Sequence, residues 1–218
     1  MSRVLVRNYS VSLDGYGAAL HQDLDNPLGV GGMQLHEWIF ATRSGNQMIG
    51  RKGGSEGIDD DFFAQRGSGV GATIMGRNMF GPVRGPWDES EWTGWWGEDP
   101  PFHHDVFVLT HHPRADLTMQ GGTTFHFVDG GIEAALDAAW QAAGDRDVLI
   151  GGGASTIRQY LRASLIDELH LVLVPVLLGG GERLFDDVGD ISGDYRCVEH
   201  VCSPAVTHVR LARTNRET

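Results

Sequence analysis

Val148-Leu149-Ile150-Gly151-Gly152-Gly153-Ala154-Ser155-Thr156 is a short apolar run that ends in three glycines and passes at once into a helical pattern. Glycine has no Cβ and the first turn of a helix leaves its N–H groups unpaired, so such a junction admits an anion close to the backbone. The guest this implies is a dinucleotide diphosphate. Ser155 is placed to cap the helix, after which Ile157, Tyr160 and Leu161 share one face. Glycine clusters also occur in plain turns, so the neighbouring segments must decide.

Two other apolar runs end in polar residues, Met75-Gly76-Arg77-Asn78 and Leu109-Thr110-His111-His112-Pro113-Arg114. In open α/β sheets ligands collect beyond the carboxyl ends of strands, which predicts that all three segments meet around one cofactor. The planar fork of Arg77 suits a phosphate, and Thr110, His111 and Arg114 suit the 2′-phosphate of an adenosine. The plainer reading gives Arg77 a surface ion pair and leaves His111 and His112 as solvated loop residues. A standard Rossmann domain is excluded: Thr156 stands at the third glycine position, the motif comes late, and Leu169 to Leu178 carries no acid at its far end.

The elements that must position these residues are short. Val4 to Ser12 reads as a strand, and Asp14-Gly15 turns it into a long Gly/Pro/Asn-containing loop. Leu35, Trp38 and Ile39 mark a helix face, and Asp60 to Arg66 a second short helix with acids at its start, stopped by Gly67 to Gly71. Ala72 to Met75, Val106 to Thr110 and Thr124 to Val128 are strands, Ile132 to Ala143 a helix closed by Gly144, and Val148 to Ile150 a strand. Glu168 to Leu178 reads as a central strand with a bulge or change of pairing at Pro175. Tyr195 to Val201 and Val206 to Arg213 form a closing antiparallel hairpin. Alternating strands and helices predict an α/β fold with a mostly parallel sheet covered on both faces.

The chain has 218 residues with 17 basic against 29 acidic, a formal charge of −12, which argues against sequence-independent nucleic-acid binding and anionic membrane surfaces. A single domain over 1–218 is expected. Cys197 and Cys202 lack CxxC spacing, and Met1 to Leu20 holds no continuous apolar segment, so a soluble, cytoplasmic protein with reduced thiols is expected. The pairs His103-His104 and His111-His112 do not make a metal site, since adjacent side chains diverge and no third ligand has suitable spacing. Trp87, Trp92, Trp95 and Trp96 lie in an acidic loop that reads as a lid, a subunit contact or a satellite core.

Taken together, Ser12-Leu13-Asp14-Gly15, Met75-Gly76-Arg77, Val108-Leu109-Thr110, Ile150-Gly151-Gly152-Gly153 and Leu178-Gly179-Gly180-Gly181-Glu182-Arg183-Leu184-Phe185 stand in the order seen in dihydrofolate reductase-like proteins. The chain most resembles stand-alone relatives of the C-terminal reductase domain of the bifunctional riboflavin-biosynthesis deaminase/reductase. That resemblance implies a dihydrofolate reductase-like α/β fold, NADPH as hydride donor and a pocket for a planar nitrogen heterocycle beside the nicotinamide; a small heteroaromatic or carbonyl substrate and a homodimer are expected. By position it also implies that Arg77 and the Thr110-His111 turn bind the adenosine-side phosphates, that Gly152, Gly153, Ala154, Ser155 and Thr156 cradle the diphosphate, and that the loop after Asp14 closes over the nicotinamide. Gly76, Asn78, Arg114 and Gly151 are further candidate cofactor-binding residues.

In folate-reducing members an acid near the start of the first helix holds the pterin; here Gln34 falls at that place, beside Trp38, and an amide cannot replace the carboxylate. Arg183 is a candidate for a substrate phosphate or ribosyl group, or for pairing with Asp186 or Asp187. No H-x-E is followed by P-C-x-x-C, which excludes zinc-dependent deamination. Asp14, His36 and Glu182 are the candidate proton donors, with Asp14 equally readable as a turn residue. Dihydrofolate reduction and a non-catalytic NADPH-binding sensor are the rival readings.

Overall fold

The computed structural model describes residues 2–81, 85–87 and 92–214. The chain opens with β1 (Val4–Ser12) and β2 (Tyr16–Ala18), then a 3-10 turn (Gly32–His36) and the short helices α1 (Glu37–Ala41), α2 (Arg43–Met48) and α3 (Ile58–Ala64). There follow β3 (Val70–Gly76), α4 (Arg77–Phe80), β4 (Asp105–Leu109), β5 (Leu117–Thr118), β6 (Thr124–Val128), α5 (Gly131–Ala143), β7 (Asp147–Gly152) and α6 (Ala154–Arg162). The chain ends with β8 (Glu168–Val174), β9 (Glu182–Arg183), β10 (Tyr195–Cys202) and β11 (Thr207–Arg213).

One sheet has the order β10-β11-β8-β1-β7-β3-β4-β6-β5, and β2 pairs with β9 in a separate ribbon. Neighbours from β8 to β6 run parallel, while β5 and the β10–β11 hairpin are antiparallel. This is the expected mostly parallel sheet with an antiparallel C-terminal hairpin.

Side chains alternate across a strand, so each strand feeds both faces. Val4, Val6, Ala72, Ile74, Phe107, Val148 and Ile150 meet Ala135, Leu136 and Ala139 of α5 and Ile157, Tyr160 and Leu161 of α6 in one core. Burying each large side chain there contributes about 1.5–3 kcal/mol. Val106, Val108, Phe125 and Phe127 belong to a second core, packed by Phe80 and by Trp87, Trp92, Trp96 and Phe102. The tryptophan loop is thus a satellite core where it is described; its residues 88–91 lie outside the described residues. Val172 and Val174 meet Leu35, Trp38, Ile39 and Phe63 in a third core.

Three local expectations change. β8 stops at Val174 rather than Leu178, because Pro175 has no N–H for the ladder; Leu13 N–H then bonds to the Val176 carbonyl at 3.0 Å as the chain leaves the sheet. The N-terminal loop contains β2, unforeseen because a three-residue strand shows no alternation. Ser155 caps nothing: Gly153 takes the N-cap position of α6 and Ser155 is the second helical residue.

Candidate active site

Register aligns the carboxyl ends of the parallel strands. Met75 is opposite Gly152, Gly76 opposite Leu109 and Leu109 opposite Val128, so the α6 junction, Arg77-Asn78 and Thr110 follow one another along a single rim.

At the α6 junction, the first intrahelical bond runs from Ile157 N–H to the Gly153 carbonyl at 3.1 Å, and no side chain caps the helix. The N–H groups of Ala154, Ser155 and Thr156 precede that bond and sit at the positive end of the helix dipole. A Cβ at Gly153 would have nothing within 4 Å, so the space beside these amides is open. Gly152 has φ +130, a conformation that favours glycine, and its peptide with Gly153 is cis. A Cβ on Gly76 would collide with the Thr156 hydroxyl, so β3 and α6 approach closely only with glycine there. This uncapped, open, glycine-lined helix start fits a diphosphate.

Further along the rim, Arg77 and Arg114 come together around Trp87, next to the Thr110 turn. The Arg77 guanidinium lies 2.9 Å from the Trp87 ring centroid and that of Arg114 lies 4.8 Å away, with Phe127 at 5.0 Å on its other contact. The Trp87 indole N–H donates to the His112 carbonyl at 2.5 Å, and Arg114 donates to the Trp92 carbonyl at 3.1 Å. Thr110 Oγ1 accepts from the His112 N–H at 3.1 Å and closes its own turn, while His111 is exposed. Asn78 is half-buried on α4. Sequence reasoning treated Trp87 and the arginines separately, because residues so far apart along the chain carry no signal of contact.

On the other side of β7 the sheet opens. β1 and β7 share register only at Val4–Val148 and Leu5–Leu149, whereas β1 continues along β8 to Ser12–Val174 and β7 continues along β3 to Gly152. A gap results between the carboxyl halves of β1 and β7. The β2–β9 ribbon lies beside it, in contact with β1 and α6. Arg158 of α6 donates to the Arg183 carbonyl at 3.1 Å and pairs with Glu182 at 3.7 Å.

Each residue proposed for proton supply has another partner or an unsuitable charge state. Asp14 accepts from Ser12 Oγ at 2.5 Å, from the Leu178 N–H at 3.2 Å and from the Gly179 N–H at 2.7 Å. These bonds, that of Ser12 first, hold its carboxyl down to about 2, so it is ionised at neutral pH and joins the loop after β1 to the loop after β8. Replacing Asp14 with Ala removes both acceptors, and hydrogen exchange at the Leu178 and Gly179 amides is expected to speed at least ~10-fold. Burial pushes the His36 imidazole down to about 4, leaving it neutral. Glu182 faces Arg158.

The residues proposed for substrate contact are dispersed. Gln34 is exposed and donates to the Gly31 carbonyl of its own loop at 2.9 Å. Trp38 is a core residue, 3% exposed, with its indole N–H on Ser10 Oγ at 2.9 Å, and so does not line the gap. Arg183 is exposed and lies over the Tyr16 ring at 4.8 Å, and among the described residues it makes no ion pair with Asp186 or Asp187.

Known structures share this architecture. A putative riboflavin biosynthesis protein from Shewanella sp. PV-4 superposes with a TM-score of 0.62 at 21% identity, covering 99% of this chain and 100% of the other. Dihydrofolate reductase from Enterococcus faecalis, complexed with NADP(H) and RAB-propyl, superposes with a TM-score of 0.53 at 15% identity and 97% coverage of each chain. A diaminohydroxyphosphoribosylaminopyrimidine deaminase/5-amino-6-(5-phosphoribosylamino)uracil reductase from Thermotoga maritima gives 0.53 at 15% identity, covering 98% of this chain and 57% of that one. The fold is therefore that of the dihydrofolate reductase-like proteins.

Within that class, the chain belongs to the RibD C-terminal domain family, whose model matches residues 3–213. Uncharacterized protein YyaP from Bacillus subtilis (strain 168) is 28% identical over 95 residues, 42% of this chain; the match spans about half of that relative's length, 50%.

Proposed function

We propose that this protein is an NADPH-dependent reductase that delivers a hydride to a small heteroaromatic or carbonyl substrate, of the type that reduces aminopyrimidine ribosyl compounds in riboflavin biosynthesis. The observation that carries the reading is the single rim on which the open α6 start, Arg77 and Thr110 follow in register. Gly152, Gly153 and the first turn of α6 would hold the diphosphate; Arg77, Thr110, His111 and Arg114 would hold the adenosine end. NADPH supplies a hydride when bound. The protein's own part is orientation: the helix start fixes the coenzyme, and the loops joined by Asp14 limit water at the gap.

Titration with NADPH while following tryptophan fluorescence tests binding, because Trp87 lies against the Arg77 and Arg114 guanidinium groups. NADPH oxidation with aminopyrimidine ribosyl compounds, simple carbonyls and dihydrofolate tests turnover. Dihydrofolate is expected to be inert, since Gln34 is an exposed amide held to its own loop. Failure to bind either NADPH or NADH overturns the proposal. A second reading, a coenzyme-binding sensor without turnover, is favoured by the engagement of Asp14 and Glu182 elsewhere. Binding without oxidation of any acceptor identifies it.

Arg77 is the proposed reader of the 2′-phosphate, a role that requires the Trp87 indole to move off its buried guanidinium. Arg77→Ala is expected to weaken NADPH by ~10- to 100-fold, the range of a charge-assisted hydrogen bond, and NADH by less than ~3-fold. Equal losses in fluorescence titrations show that Arg77 does not make this distinction.

A further inference from the structure

Tyr9 belongs to none of the proposed roles, yet it stands at the opening of the sheet. β1 carries a register shift between Val6 and Tyr9, with Asn8 at φ 52. A bulge of this kind re-aims the side chain that follows it. The Tyr9 ring lies against two glycines. A Cβ on Gly152 would sit 3.3 Å from its Cε2, and a Cβ on Gly17 would collide with its hydroxyl. The ring therefore runs from the end of β7, beneath β2, into the gap that β1 and β7 leave between them. Tyr9 is half-buried, and among the described residues no hydrogen bond ends on its hydroxyl.

The rim gives this position a meaning. With the adenosine end over β3 and β4 and the diphosphate at β7, a dinucleotide that continues in the same direction arrives over β1, the remaining neighbour of β7. Tyr9 stands there, its ring edge beside the glycine assigned to the diphosphate turn and its hydroxyl beside Gly17 of β2.

We propose, on the reductase reading given above, that Tyr9 is a catalytic residue: its hydroxyl faces the nicotinamide end of the bound coenzyme and donates a hydrogen bond to the substrate heteroatom. The electron count follows. As the substrate's C=O or C=N carbon gains a hydride, the π pair moves onto the heteroatom, where the Tyr9 O–H stabilises it until solvent supplies the proton; the coenzyme is oxidised and the substrate reduced. Burial and the neighbouring charge of Glu182 push the phenol upward, so the hydroxyl stays protonated and remains a donor at neutral pH.

The test uses tyrosine labelled with carbon-13 at Cζ. The chain has four tyrosines, and Tyr9→Phe assigns the Tyr9 resonance by its disappearance. In the wild-type protein this resonance is expected to shift when NADP+ is added, an observation independent of turnover. With any acceptor that the wild type reduces, Tyr9→Phe is expected to lower kcat ~10- to 100-fold while NADPH affinity stays within ~3-fold. If tryptophan fluorescence reports NADP+ binding but the Tyr9 resonance does not move, or if Tyr9→Phe turns over at the wild-type rate, the role of Tyr9 is overturned while the reductase reading stands. If neither coenzyme binds, both fall.

Discussion

Replacing Gly153 with Asp is expected to weaken NADPH at least ~100-fold while leaving the protein as stable as before, or more so. The two effects share one location. Gly153 is the N-cap of α6 with φ −72 and ψ −168, and a side chain there meets nothing within 4 Å, so the fold accommodates it. Asp is a preferred N-cap, and replacing an uncapped start by one is worth up to about 1 kcal/mol of helix stability. The same carboxylate would occupy the space assigned to the diphosphate, consume the amides of the first turn and place negative charge against negative charge. A loss of ~100-fold corresponds to about 2.7 kcal/mol, well within the cost of such a reversal. Thermal melting and fluorescence titration read the two effects separately. A variant that melts like the wild type and still binds NADPH with undiminished affinity shows that the diphosphate lies elsewhere.

Acidification from pH 7 to pH 5 is expected to remove roughly 4–6 kcal/mol of stability and lower Tm by roughly 10–20 °C. Three histidines carry the effect. His36 is held down to about 4 by burial, His104 to about 4 by burial and then by Arg146, and His170 to about 3 by burial and then by His208. All three stay neutral in the folded protein over this interval, whereas in the unfolded chain they take up protons below about 6.5. The unfolded state binds more protons, so stability falls as pH falls, by about 2 kcal/mol for each group at pH 5. Asp60 and Asp147 have carboxyls lowered by their hydrogen bonds and by arginines, and their contributions are intact above the ordinary carboxylate range, so they do not offset the loss at pH 5. A Tm unchanged between pH 7 and pH 5 contradicts this account.

His170 is also part of a chain whose protons are assigned by one backbone group. Asn8 N–H donates to His170 Nδ1 at 3.3 Å, which leaves Nε2 to donate to His208 Nδ1 at 3.1 Å, and His208 Nε2 to donate to Asp59 Oδ1 at 2.9 Å. The relay ties α3 to β8, β11 and β1. Protonating His170 would place two donors against one another at the first link.

The parts of the site legible in the sequence are those whose chemistry is local. The α6 junction is visible because three glycines, an apolar run and a helical face lie within a few residues, and Gly76-Arg77 and Thr110 are visible because each directly follows its strand. What the sequence hides depends on register or distance. Gln34 and Trp38 look like neighbours on one helix, but the 3-10 turn ends at His36 and α1 starts at Glu37, so their phases differ and one is exposed while the other is core. The β2–β9 ribbon is too short for any period to show. Tyr9 reads as one more residue of an opening strand until the bulge and the two facing glycines are seen. The burial of Arg77 under Trp87 joins segments that no periodicity relates.

The brief pairing of β1 with β7 has a mechanical consequence. The assemblies β10-β11-β8-β1 and β7-β3-β4-β6-β5 are bound edge to edge only near Leu5 and Leu149. Beyond that point no backbone ladder joins them; the two halves are held by side chains instead, by the core that β1, β8, β7, β3 and α6 share and by the Tyr9 ring lying against Gly152. Cohesion across the cleft thus rests on close-packed apolar contact, which senses the volume of every residue that lines it.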